Sequence, residues 1–134
     1  MTNGKRLVLY IDDDEDALFA IRTILEANGY AMAGASSAEE GLRAYKALNP
    51  DFVIVDLMME EVDSGASFAR ELKALSNKVP VYMLSSVGDD LSTSTDSVAL
   101  GLDGVFQKPL KAATLLGVLG TRLLSVPDVP SARG

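Results

Sequence analysis

The feature that most restricts the fold is a set of short, unbroken apolar runs: LVLYI, FVIV, VYML and the briefer VF. A strand with one wet face alternates apolar and polar residues. A run with no polar break has both faces covered, as strands do in a parallel α/β sheet. Strands are expected near residues 6–11, 30–34, 52–55, 80–84 and 103–106, and the second, YAMAG, has the weakest strand propensity.

Helical periodicity fills the intervals. A helix over about 15–28 would turn Ala17, Leu18, Ile21, Ile24 and Leu25 inward and stop at Gly29. A second would begin at Ser36 or Ser37, each followed three residues later by glutamate in a capping-box pattern. Its inner face would be Ala38, Leu42, Tyr45 and Leu48, with Pro50 beyond its end. A third, over about 65–76, would bury Phe68, Ala69, Leu72 and Leu75. The last, over about 111–124, would bury Ala112, Leu115, Leu116 and Leu119. Gly117 and Gly120 would each weaken it by about 1 kcal/mol relative to alanine, unless a close neighbour needs the space. The fourth helix falls in DDLSTSTDSVALG, whose serine, threonine and aspartate side chains compete for backbone hydrogen bonds. It is expected to be short or mobile, with Leu91, Val98 and Leu102 as its inner stripe.

Strict alternation of these elements predicts one α/β domain over residues 1–124: a doubly wound, five-stranded parallel sheet with helices on both faces. The closing SVPDVPSARG, residues 125–134, reads as a flexible tail or linker stub.

Composition removes several functions. The net charge is −7, with a pI of about 4.5. That disfavours direct binding of nucleic acid, whose phosphates need a basic face. There is no cysteine and no histidine. Disulfides, thiolate or imidazole metal ligands and an internal phosphohistidine are therefore excluded. No apolar run approaches the roughly 18 residues of a membrane span. MTNGKR runs directly into a strand and reads as no signal peptide, so the expected location is the cytoplasm.

The chemistry gathers at the strand ends. LVLYI is followed by Asp12 and Asp13, FVIV by Asp56, VYML by Ser85, and VF by Gln107, Lys108 and Pro109. Doubly wound sheets bind ligands beyond the carboxyl ends of their strands, at the switch in strand order. In the flavodoxin-like order 2-1-3-4-5 the first and third strands flank that switch, and they carry the aspartates. Clustered carboxylates repel unless a cation joins them. An oxygen-only ligand set selects a hard cation, Mg²⁺ above all, with Mn²⁺ as a substitute. Each feature also has a plainer reading. Asp12 to Asp16 could be a solvated acidic helix start, to which Asp14, Glu15 and Asp16 are mainly assigned. Asp56 could be a turn residue, although the following LMMEEVD has no cap or tight-turn pattern. Ser85 and Lys108 are ordinary surface residues in isolation. Pro109 restricts Lys108 to extended backbone and makes a cis bond accessible, which would aim the lysine stem one way.

Taken together and in this order, these residues resemble the receiver domains of two-component response regulators, with the single-domain chemotaxis type matching in length. The similarity covers about residues 6–122. The resemblance implies that Asp56 is the phosphoacceptor. It makes Asp13 and Asp56 direct Mg²⁺ ligands together with the backbone carbonyl of Met58, and Asp12 an acidic-pair member contacting the metal through water. Ser85 and Lys108 would bind the phosphoryl group. A sensor histidine kinase or phosphotransfer protein would supply phosphate, and the face formed by the fourth helix, fifth strand and fifth helix would act on a downstream protein.

Three departures qualify the resemblance. Val105 stands where the family often has a switching aromatic, and Phe106 should face the opposite side of the strand. Glu60 and Ser64 replace the family's common proline and glycine after the phosphoacceptor. Met58 and Val87 occupy the positions that tune attack of water on the phosphoryl group, and both are apolar, which predicts slow self-dephosphorylation.

Two other functional classes fit parts of the pattern. A Mg²⁺-dependent aspartyl phosphatase of haloacid-dehalogenase type needs a second acid two residues after its nucleophile, where this chain has Met58. An unphosphorylated protein-binding module on the same scaffold would leave the acid, hydroxyl and lysine set unexplained.

Overall fold

The computed structural model describes residues 6–56, 70–72, 74, 75, 79–85 and 103–124. Five strands form one parallel sheet: β1 (Leu7–Ile11), β2 (Ala31–Ala35), β3 (Phe52–Asp56), β4 (Val81–Ser85) and β5 (Gly104–Gln107). Their order is β2-β1-β3-β4-β5, as the sequence predicts, and the switch lies between β1 and β3. Every residue of β1 and β3 is buried, which is why neither shows an alternating pattern. The weaker β2 lies at one edge, half-covered.

Three helices are described: α1 (Glu15–Ala27), α2 (Ala38–Leu48) and α3 (Ala112–Leu124), with residues 70–72 and 74 also helical. On one side of the sheet Val8, Tyr10, Phe52, Ile54, Leu84 and Phe106 pack against Ile21 and Leu25 of α1 and Leu115, Leu119 and Leu123 of α3. On the other side Leu9, Ile11, Val53, Val55 and Met83 meet Leu72, with Leu42 and Tyr45 of α2 against them. The two sets alternate along each strand, as the pleat requires.

Local signals account for the helix ends. Asp14 caps α1, accepting from the Asp16 backbone N–H at 3.0 Å, and Gly29 (φ +88) turns the chain out. The start of α2 resolves to Ser37, whose Oγ accepts from Glu40 N at 3.1 Å. Glu40 reaches back to Ser36 N at 2.8 Å, one residue earlier than in the usual box. That contact and the Ser36 hydroxyl hold the Glu40 carboxyl below the usual range. Asn49 ends α2 in the left-handed region at φ 51, ahead of Pro50.

Several expectations need correction. Strand bounds shift by one residue, β2, β4 and β5 each starting and ending one position later than expected. Leu48 and Leu75, expected inside, are 44% and 47% exposed. Ala112 is exposed too, while Leu123, which the pattern did not single out, is buried. Among the described residues nothing lies within 4 Å of a Cβ added at Gly117 or Gly120, so no described neighbour needs those glycines. Gly104 differs: an added Cβ would stand 2.4 Å from the Tyr82 ring. Phe68, Ala69, the 89–102 helix, the 125–134 tail, Met58, Glu60, Ser64 and Val87 lie outside the described residues.

Candidate functional site

The parallel register delivers four strand ends to one edge. Asp12 follows β1, and its N–H is held by the Ala35 carbonyl at the end of β2, at 2.9 Å. Asp56 closes β3 opposite Leu84 of β4, and Ser85 is the next residue along. Ser85 in turn pairs with Gln107 of β5, and its carbonyl accepts from Lys108 N at 2.7 Å. The Lys108–Pro109 bond is cis.

Asp12, Asp13 and Asp56 each present one carboxylate oxygen, and these oxygens lie within 4.8 Å of one another. Asp12 and Asp56 are each only 2% exposed, whereas Asp13 faces solvent. Lys108 Nζ stands 3.0 Å from Asp56 Oδ1. Among the described residues three carboxylates, two of them buried, gather around one ammonium, and clustered carboxylates repel unless a cation joins them. The donor set is all oxygen, with one open side at Asp13. It fits a divalent hard cation. Ser85 is buried at the adjacent strand end, 2% exposed.

Tyr10 is the site residue that periodicity misses. It reads as one more apolar member of LVLYI, but its hydroxyl donates to Asp12 Oδ2 at 2.5 Å. The other oxygen, Oδ1, accepts from Asp14 N at 2.9 Å. The available signal was spacing: residues i and i+2 of a strand share a face, so a phenol two before an aspartate can reach it. Burial, followed by the Asp12 hydrogen bond and the charges of Asp12, Asp56 and Asp14, pushes the Tyr10 hydroxyl far above its ordinary value, so it remains a donor. Beside it opens a pocket of about 630 Å³, lined in part by Asp12, Ala17, Leu84, Lys108 and Pro109.

The residues of β5 divide as the pleat predicts. Val105 packs with the Leu72 side of the sheet. Phe106 is buried on the α1/α3 side, its ring 4.8 Å from that of Tyr82.

Residues 8–119 match the response regulator receiver domain family. The chain belongs to that family. Transcriptional regulatory protein PrrA of Mycobacterium tuberculosis is 35% identical over 112 residues, which cover 81% of this chain and 46% of PrrA. The DNA-binding response regulator MtrA of Mycolicibacterium smegmatis is 30% identical over 135 residues, 98% of this chain and 56% of MtrA. This receiver chain thus spans about half the length of the curated relatives it matches. Among solved structures, a response regulator receiver domain protein from Clostridium thermocellum superposes with TM-score 0.79 at 30% identity, over 89% of this chain and 94% of that one. The Vibrio cholerae chemotaxis protein CheY4 gives 0.80 at 25%, over 89% and 99%. Receiver domains are signalling modules and not enzymes in the usual sense, and they typically bind Mg²⁺ at an acidic cluster. No described helix is long and apolar enough to cross a membrane.

Proposed function

We propose that this receiver domain is a phosphorylation switch in which Asp56 accepts the phosphoryl group. The observation that carries the reading is the pairing of a buried strand-end carboxylate with an ammonium at 3.0 Å, beside two further carboxylates. An Asp56 oxygen attacks phosphorus and forms an acyl phosphate, while the phosphorus–nitrogen bond of a donor phosphohistidine breaks and the imidazole departs with the bonding pair. These 134 residues hold no histidine, so none of them is the donor, and we assign that role to a sensor kinase or phosphotransfer protein.

Asp12, Asp13 and Asp56 would hold Mg²⁺, which supplies charge neutralisation for the incoming group. Lys108, already on Asp56, is in reach to pair with the phosphoryl oxygens, and Ser85 offers a hydroxyl from the neighbouring strand. Phosphorylation adds about −1.5 to −2 charge at the edge of the sheet. That charge redistributes conformers, and the altered face, through Val105 of β5 and α3, acts on a downstream protein. Two of the relatives are transcriptional or DNA-binding regulators by name. We place any contact with DNA outside the acidic receiver domain.

The test is incubation with Mg²⁺ and acetyl phosphate, read by intact mass, with beryllofluoride as the non-covalent mimic. Wild type gains one phosphoryl group and Asp56→Asn gains none. Equal labelling of the variant, or none of the wild type, overturns the assignment.

A further inference from the structure

The two buried carboxylates of the cluster each have a donor supplied by the chain. Asp56 has the Lys108 ammonium at 3.0 Å. Asp12 has the Tyr10 hydroxyl at 2.5 Å and the Asp14 amide at 2.9 Å. Tyr10 is itself 1% exposed, so its bond to Asp12 is screened from water. A charge-assisted hydrogen bond in such surroundings is stronger than a neutral or exposed one.

We propose that Tyr10 is a positioning residue whose hydroxyl competes with the divalent cation for Asp12, stabilising the metal-free cluster and lowering its affinity for Mg²⁺. This rests on the reading of the cluster as a Mg²⁺ site. The reasoning is one of linkage. Without a cation, Asp12 is a buried anion with Asp13 and Asp56 oxygens within 4.8 Å, and the phenol relieves part of that repulsion. With a cation present, directly or through water, the charge on Asp12 is compensated and the same hydrogen bond is worth less. A contact stronger in the free state than in the bound state weakens binding by the difference. Asp13, exposed to solvent, has no such restraint imposed by Tyr10, so the cost falls on the Asp12 side of the cluster.

The test is calorimetric titration with MgCl₂ of wild type, Tyr10→Phe and Tyr10→Leu, with thermal melts in EDTA and in saturating Mg²⁺. Tyr10→Phe keeps the ring and loses only the hydroxyl. It is expected to bind Mg²⁺ about five- to tenfold more tightly, a fraction of what a hydrogen bond to a charged group contributes. It should melt below wild type in EDTA, and the gap should narrow in Mg²⁺. Tyr10→Leu should show the same gain in affinity and an added loss of melting temperature in both buffers, from lost ring packing. Equal or weaker Mg²⁺ binding by Tyr10→Phe overturns the proposal, as does a change confined to Tyr10→Leu, which would assign the effect to packing. Absence of Mg²⁺ binding by wild type overturns both this proposal and the cation site beneath it. Normal wild-type binding with no response to Tyr10→Phe overturns this one alone.

Discussion

Asp51 and Asp56 bracket the same strand and do opposite work. Asp51, just before β3, accepts the Leu7 backbone N–H at 2.8 Å and faces Arg6 at 3.9 Å. Asp103, just before β5, accepts the Val81 N–H at 2.8 Å. At the amino edge of the sheet, then, carboxylates tie neighbouring strands together through backbone amides. At the carboxyl edge, Asp12 and Asp56 meet a phenol, an ammonium and each other, and the one backbone amide on Asp12 comes from its own turn, not from a neighbouring strand. One kind of residue sits at both ends. The difference is what its oxygens meet: at the amino edge a backbone amide of the neighbouring strand, at the carboxyl edge a phenol, an ammonium and a local amide.

The largest expected effect contrasts the two ends of β3 directly. Asp51→Asn should leave acetyl-phosphate labelling at the wild-type level by intact mass, while Asp56→Asn abolishes it. Loss of labelling in both would mean that the edges are not functionally distinct. Stability should run the other way. Gly104→Ala drives a Cβ into the Tyr82 ring beside Asp103 and should cost about 3 kcal/mol in urea unfolding, the upper end for overpacking. Asp51→Ala and Asp103→Ala each strand a backbone amide and should cost about 2 kcal/mol in the same assay. Asp56→Asn, relieved of its acidic neighbours, should leave the metal-free protein at least as stable as wild type.

A smaller effect isolates the carboxyl edge. Mg²⁺ at about ten times its dissociation constant should stabilise wild type by about 1.4 kcal/mol and leave Asp13→Asn almost unchanged, as read by melting temperature. The smallest tests an exception to the edge rule. Glu40 lies past the carboxyl end of β2, yet its carboxylate is bound to Ser36, as the carboxylates of the amino edge are bound to backbone. Its folded value is depressed, so its contribution to stability is complete above the unfolded glutamate value and disappears as pH falls through the folded one. Carbon-detected NMR titration should place the Glu40 midpoint below that of an ordinary glutamate, with Ser36→Ala restoring only the part owed to the hydroxyl. A midpoint at the ordinary value would remove the exception.

The same contrast explains what could be read from the sequence. Unbroken apolar runs predict both-face burial, alternation with helical segments predicts a doubly wound parallel sheet, and the flavodoxin-like order of such sheets brings Asp12, Asp56, Ser85 and Lys108 to one edge. Three inward assignments failed at helix ends. Leu48 is the last residue of α2, Ala112 the first of α3, and Leu75 lies in a turn. Periodicity extends a stripe without knowing where the helix leaves the sheet. Tyr10, Asp51 and Asp103 were missed for another reason. Their roles depend on one polar atom finding a particular partner, and hydropathy patterns carry no such information.

The rings of Phe52, Tyr82 and Phe106 form an oblique column across β3, β4 and β5, with centroid separations of 5.2 and 4.8 Å and the Arg122 guanidinium over the middle ring. Interlocked plates of this kind oppose sliding of one strand past the next. Three of the five strands are therefore expected to behave as a stiff plank, and deuterium should enter their amides as a single cooperative unit. A movement that conveys a message is then expected to pivot about the plank more than to deform it.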